Sequence, residues 1–104
     1  MNIVYTKHAR NDLHEIYEYI AFSLLSPENA SSTVKRIIDT VRSLESMPER
    51  NPVYKDEPWK SKGVRFTTAR NYMIFYTVNT AAETVSISRI MYGGRDISRQ
   101  LENV

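Results

Sequence analysis

The residues best suited to chemistry lie in the second half of the chain. Residues 59–104 carry seven bases (Lys60, Lys62, Arg65, Arg70, Arg89, Arg95 and Arg99) against three acids (Glu83, Asp96 and Glu102). Residues 1–58 carry seven bases against nine acids, so the modest net charge of +2 hides a split between an acidic and a basic half. An arginine fork matches a phosphate bidentately and can stabilise a crowded phosphorane. Metal-free RNA cleavage would need that stabiliser, a group to take the 2′-OH proton and a group to protonate the leaving oxygen. Arg95, Arg65 and Arg89 are the candidates for such catalysis. Arg95 follows Gly93-Gly94, where the backbone can turn sharply and present a side chain. The competing reading is an ion pair with Asp96 or another acid that fixes the terminal segment. Arg89 shares strand parity with Val85 and Ile87, so it is either buried and paired or reaches a rim through its stem beside Arg65.

A wider set could bind a nucleic acid or another target: Lys60, Lys62, Arg65, Arg70, Tyr72, Arg89, Tyr92 and Arg95. Arg65 alternates away from Val64 and Phe66 and could line a basic surface with Lys60, Lys62 and Arg70. A solvated strand face whose charges deter edge pairing accounts for the same pattern. Tyr72 and Tyr92 could stack on bases or on a partner's side chains, or pack across strands. Other chemistries are excluded. There is no cysteine, hence no thiolate metal site, iron–sulfur cluster or cysteine nucleophile. His8 and His14 are six apart, which is not a metal spacing on a helix. No phosphate-cradling glycine loop is present, and no cofactor is expected. No apolar run approaches bilayer length, so no membrane partner is expected.

These residues must be positioned by one domain over residues 1–104. Ile3-Val4-Tyr5 reads as a short strand near a sheet edge, and Thr6 as the N-cap of a helix. Leu13, Ile16, Tyr17, Ile20, Ala21 and Leu24 form a helical stripe that ends near Leu25. Ser26-Pro27-Glu28 reads as a second helix start, followed by Ala30, Val34, Ile37, Ile38, Val41 and Leu44 up to Met47-Pro48. The short link predicts an antiparallel helical hairpin. Residues 48–62 read as a loop pinned by Tyr54 and Trp59. Three strands follow: Val64–Thr68, Tyr72–Val78 (apolar on both parities, hence covered on both faces) and Thr84–Tyr92. Ile97 and Leu101 predict a short terminal helix. The fold class is α+β, in the order β-α-α-β-β-β-(α), with the helical hairpin on one face of an antiparallel sheet and the other face free as a working surface.

The segments TKHARNDLHEIYEYI, SPENA, NYMIFYTV and SRIMYGGRDISRQL resemble the RelE/ParE superfamily of bacterial toxins over nearly the whole chain. The resemblance implies a cytoplasmic protein made beside a cognate antitoxin that wraps it, and the same β-α-α-β-β-β order. It places Arg95 at the family's Arg-Asp position. ParE-like members inhibit DNA gyrase; RelE-like members cut mRNA on the ribosome. RelE-like nucleases often carry an arginine after the tyrosine that opens the central strand, and here that residue is Met73. They often use a tyrosine or histidine near the C-terminus, and none follows Tyr92. The expectation is a growth-inhibiting toxin of ParE-like action on gyrase. The alternatives are a RelE-like mRNA endonuclease and a non-toxic antitoxin-binding remnant.

Overall fold

Thr6 ties the first strand, the first helix and the last strand together. In the computed structural model, which describes residues 1–93, β1 (Asn2–Tyr5) leads into α1 (Lys7–Glu18). The Thr6 hydroxyl accepts the Ala9 N–H at 3.1 Å, as an N-cap should, and donates to the Ser88 carbonyl at 3.0 Å. One side chain thus starts the helix and anchors it to the sheet. The chain then widens into a π-helical turn over Tyr19–Ser23, in which the Leu24 N–H reaches the Tyr19 carbonyl at 3.0 Å. α2 (Pro27–Arg42) begins with proline at its first position and Glu28 in its first turn. Ser26 occupies the N-cap position without a side-chain capping bond; its N–H goes instead to the Ile20 carbonyl at 3.0 Å. Short 3-10 turns at Ser43–Glu45 and Pro48–Arg50 complete the return.

β2 (Arg65–Ala69), β3 (Tyr72–Asn79) and β4 (Thr84–Tyr92) form the expected antiparallel meander. The sheet order is β1-β4-β3-β2, with β1 at an edge and parallel to β4. The sheet is therefore mixed rather than antiparallel throughout. The connection that leaves β1 passes through the whole helical hairpin, and a crossover of that kind is what permits a parallel neighbour.

Two apolar clusters sandwich the sheet. On one face Ile16, Ile20 and Ala21 of the first helical arm, with Ile37, Val41 and Leu44 of the second, meet Ile74, Tyr76, Val85, Ile87 and Ile90. Val34 and Ile38 are only half-buried, and Leu24 is 53% exposed, because the wider π-turn carries it off the 3.6-residue stripe. The opposite face is not free. Phe75 and Met91 are covered by Trp59 and Val64, and Tyr54 sets its ring edge-on to Trp59, Phe66 and Phe75 at centroid distances of 6.1, 5.9 and 5.6 Å. The doubly apolar β3 demanded cover on both sides, and the segment before β2 supplies it. A bulge in β4 explains a second difference. Phe75 faces Arg89 while its neighbour Tyr76 faces Ile87, which leaves Ser88 as the extra residue. Parity changes there, so Ile90 joins the helix-side core and Met91 the opposite cluster. The terminal helix expected around Ile97 and Leu101 lies outside the described residues.

The Tyr76 phenol donates to the Pro48 carbonyl at 2.6 Å and accepts from Asn51 Nδ2 at 3.0 Å. Burial raises its pKa above the ordinary value, more than the Asn51 bond and the nearby Arg65 and Arg50 lower it. The folded state therefore holds this proton longer than the unfolded chain does. Stability is intact below the unfolded value of about 10 and falls as pH rises above it. Tyr76→Phe is expected to cost about 1 kcal/mol at neutral pH for the lost hydrogen bonds. It should also make the alkaline decline of the urea midpoint shallower than in wild type. Parallel declines in the two proteins would contradict this role.

Candidate functional site

Where the helical hairpin and the sheet diverge, near the start of β3 and the end of β4, they leave a groove of about 730 Å³. Its helical wall carries Asp12, Glu15, Tyr19 and Leu24; its sheet wall carries Arg70, Tyr72, Arg89 and Tyr92. Asp12 and Arg89 close its floor. Arg89 Nε donates to Asp12 Oδ2 at 2.8 Å and Nη2 to Oδ1 at 2.9 Å, with side-chain exposures of only 12% and 10%. Asp12 Oδ2 also accepts the Ile90 N–H at 2.9 Å, just past the bulge. The bond to Asp12 holds the Arg89 pKa above its already high value, outweighing desolvation, and the Asp12 and Glu15 charges add to it. Of the two readings open for Arg89, the structure has the buried, paired one. Asp12 was the residue that sequence reasoning missed, since as an acid it falls off the apolar stripe. Its signal is positional: Ala9, Asp12 and Ile16 are the buried residues of α1, spaced i, i+3, i+7.

Arg70 forms the upper lip. It occupies the two-residue turn between Ala69 and Tyr72 with φ +53°. Its guanidinium donates to Ser32 Oγ at 2.7 Å, Thr33 Oγ1 at 2.9 Å and Asn29 Oδ1 at 3.5 Å, all on α2. A positive φ is costly for a residue with a Cβ, by about 1 kcal/mol or more, and these bonds offset it. Beside it, Tyr72 and Tyr92 face each other across β3 and β4 with ring centroids 5.9 Å apart, edge to face. Tyr92 is 47% exposed and presents a ring to whatever enters the groove.

The sequence-derived candidates therefore separate into three places. Arg70, Tyr72, Arg89 and Tyr92 gather at the groove. Arg65 points to the segment after α2, where Nη1 donates to the carbonyls of Asn51 at 2.7 Å and Glu49 at 3.2 Å and Nη2 lies 3.7 Å from the Glu49 carboxylate. Lys60 and Lys62 are exposed on the segment that covers the opposite face of the sheet. Arg95, the first-ranked catalytic candidate, lies outside the described residues. Arg65 and Arg89 are not joined in one site; each binds a different acid. His8 and His14 are exposed on α1, and His14 pairs with Glu18 one turn on. Among the described residues no group of three His, Asp or Glu gathers to hold a metal, and no helix is long and apolar enough to cross a membrane. The groove offers the guanidinium of Arg70, the paired Arg89 and Asp12, two tyrosine rings and the carboxylate of Glu15.

The family model described as ParE toxin of type II toxin-antitoxin system, parDE, matches residues 3–97. The chain belongs to this family. Among solved structures it is similar to a chain of the chromosomal ParDE TA system from P. aeruginosa, with 26% identity, TM-score 0.72, and 88% of this chain and 95% of that one covered. It shares its fold with a chain of the toxin-antitoxin complex RelBE2 from Mycobacterium tuberculosis, at 19% identity, TM-score 0.62 and 88% of each chain. It also shares it with the isolated E. coli RelE toxin, at 11% identity, TM-score 0.63, 98% of this chain and 94% of that one. No curated protein sequence matches the chain.

Arg70 allows two opposing effects to be separated. Arg70→Gly removes the clamp on α2 and relieves the positive φ, whereas Arg70→Ala removes the clamp and keeps the strain. Alanine is expected to be the less stable of the two by about 1 kcal/mol in urea unfolding. Equal stabilities would mean the turn is unstrained.

Proposed function

We propose that this chain is a growth-inhibiting toxin of a type II toxin–antitoxin pair that acts by binding DNA gyrase and is neutralised by a cognate antitoxin. The toxin–antitoxin role follows from family membership. The observation that carries the choice of target is how the arginines are used. Arg65 and Arg89, two of the three cations best suited to stabilise a phosphorane, are bound to Glu49 and Asp12, and Arg70 is spent on α2. Arg89, paired bidentately with the buried Asp12 carboxylate, has little left for a phosphate, and pulling it free would strand the acid; Arg65 is held by two backbone carbonyls and the more exposed Glu49. Among the described residues that line the groove there is no histidine, and Glu15, Tyr72 and Tyr92 are among its other candidate acids or bases. In this reading Arg70, Tyr72, Tyr92 and Glu15 make contacts with a protein. The groove is then a binding surface for the antitoxin or the target.

The rival reading is a RelE-like, ribosome-dependent mRNA endonuclease. It is favoured by the surplus of bases in residues 59–104, which include Arg95 and Arg99. Controlled expression separates the two. Binding to gyrase predicts filamentous cells, induction of the DNA-damage response and inhibition of supercoiling by purified gyrase, with message intact. Codon-positioned mRNA cleavage on translating ribosomes with normal supercoiling would overturn the proposal. Harmless expression would mark an antitoxin-binding remnant and overturn it as well.

A further inference from the structure

The tip of the helical hairpin is the most apolar exposed part of the described chain, and the stretch of sequence that builds it carries only acids. Tyr19, Phe22, Leu24 and Leu25 are 56, 68, 53 and 82% exposed within seven consecutive residues. From Tyr19 to Pro27 the sequence has no charged residue. From Glu15 to Val34 it has three acids, Glu15, Glu18 and Glu28, and no base, although the chain as a whole is basic. All three carboxylates are exposed, so acids flank the apolar patch along the hairpin, while Arg70 on the sheet side is held by Asn29, Ser32 and Thr33. Scattered exposed leucines need no explanation, but four large apolar side chains on one tip do. The backbone supplies a second observation. Leu25 has φ +53°, a conformation that asparagine or glycine would adopt at less cost, yet it carries the most exposed of these side chains. The tip also opens into the groove, since Glu15, Tyr19 and Leu24 line both.

We infer that the hairpin tip is a docking surface for a basic, amphipathic segment of a partner protein. The partner's apolar side chains cover Phe22, Leu24 and Leu25, and its lysines or arginines meet Glu15, Glu18 and Glu28. The charge decides among occupants. A second copy of this chain would set two acidic flanks against each other, and an anionic membrane would be repelled by the same carboxylates. A basic segment is attracted by these acids and held by the patch, in the manner of a helix laid into an apolar groove. This inference extends the reading that the chain acts by binding protein. Its test does not depend on gyrase, so either can fail alone.

The probe is a fluorescent synthetic peptide of about 18 residues, five helical turns, patterned with leucine on one face and lysine on the other. Its counterpart replaces each lysine by glutamate. Anisotropy titrations on the full chain should show the lysine peptide binding and the glutamate peptide not. Affinity should fall about tenfold in the triple variant Glu15→Gln/Glu18→Gln/Glu28→Gln and in 0.5 M-class salt, which screens these acids. A comparable loss is expected in Phe22→Ser/Leu25→Asn, asparagine being chosen because it tolerates the positive φ. Backbone amide shifts on binding should centre on residues 19–28. The triple Glu variant changes only exposed side chains and keeps the test open should the apolar variant misfold. Equal binding of both peptides would overturn the inference, as would binding unaffected by either variant. A dimer that Phe22→Ser/Leu25→Asn dissolves in sedimentation would assign the tip to a second copy and overturn it. Tighter peptide binding by Arg95→Gln/Arg99→Gln would assign it to the chain's own last residues, with the same consequence.

Discussion

The buried pair between Asp12 and Arg89 is the interaction on which the arrangement of the two layers depends. It is the buried ion pair that joins α1 to β4, and its geometry admits little slack: two guanidinium bonds and a backbone N–H converge on a single carboxylate. Placing both ions out of water costs several kcal/mol each, so the pair adds little net stability compared with apolar residues. What it adds is discrimination. Any other rotation of α1, or any other register past the Ser88 bulge, would leave a buried charge without its partner. The Thr6 hydroxyl, bonded to the Ser88 carbonyl next door, fixes the start of the same helix against the same bulge.

The charge split along the chain takes its meaning from this pair. The acidic half supplies Asp12 and Glu49 and the α2 hydroxyls of Ser32 and Thr33; the basic half supplies Arg89, Arg65 and Arg70 to bind them. Much of the cationic surplus that suggested a nucleic-acid surface is thus used to fasten sheet to helices. The fasteners sit apart, in the first half of α2, in the turn beyond its end and at the middle of α1, so the hairpin is held at several points while its tip stays uncovered. The proposed function by binding draws on this layout: among the described residues of the groove and the hairpin tip, Tyr92, Glu15 and the apolar side chains of the tip are exposed.

The elements were legible wherever the information is local. Thr6 as a cap, the helical stripes and the strand meander were all readable, because side-chain spacing and turn residues act over a few positions. What depends on distant partners was not. Nothing near Ile3 says that β1 lies parallel to β4, and nothing near Ser88 announces a bulge, so the parity of Arg89 and Met91 could not be carried through. Leu24 was misplaced by one wide turn. The opposite face was expected to be free although β3 is apolar on both parities; that pattern had already called for the cover that Tyr54 and Trp59 provide. The candidate site was half legible. Arg70, Tyr72, Arg89 and Tyr92 do share a groove, but Asp12 was hidden among the polar residues of α1, where its place on the row of Ala9 and Ile16 and the need of a buried Arg89 for a partner point to it. The part of the site expected at Arg95 belongs to residues beyond those described.

The claim that these arginines serve the fold is tested most directly by a double-mutant cycle on Asp12 and Arg89, read by urea unfolding. If the pair is a fastener, Asp12→Ala and Arg89→Ala each cost about 3 kcal/mol, because each strands a buried charge. The double variant then costs no more than either alone, which gives a coupling of about 3 kcal/mol. Single costs that simply add, with a coupling below about 0.5 kcal/mol, would show that Arg89 does not depend on Asp12 and is available for other work.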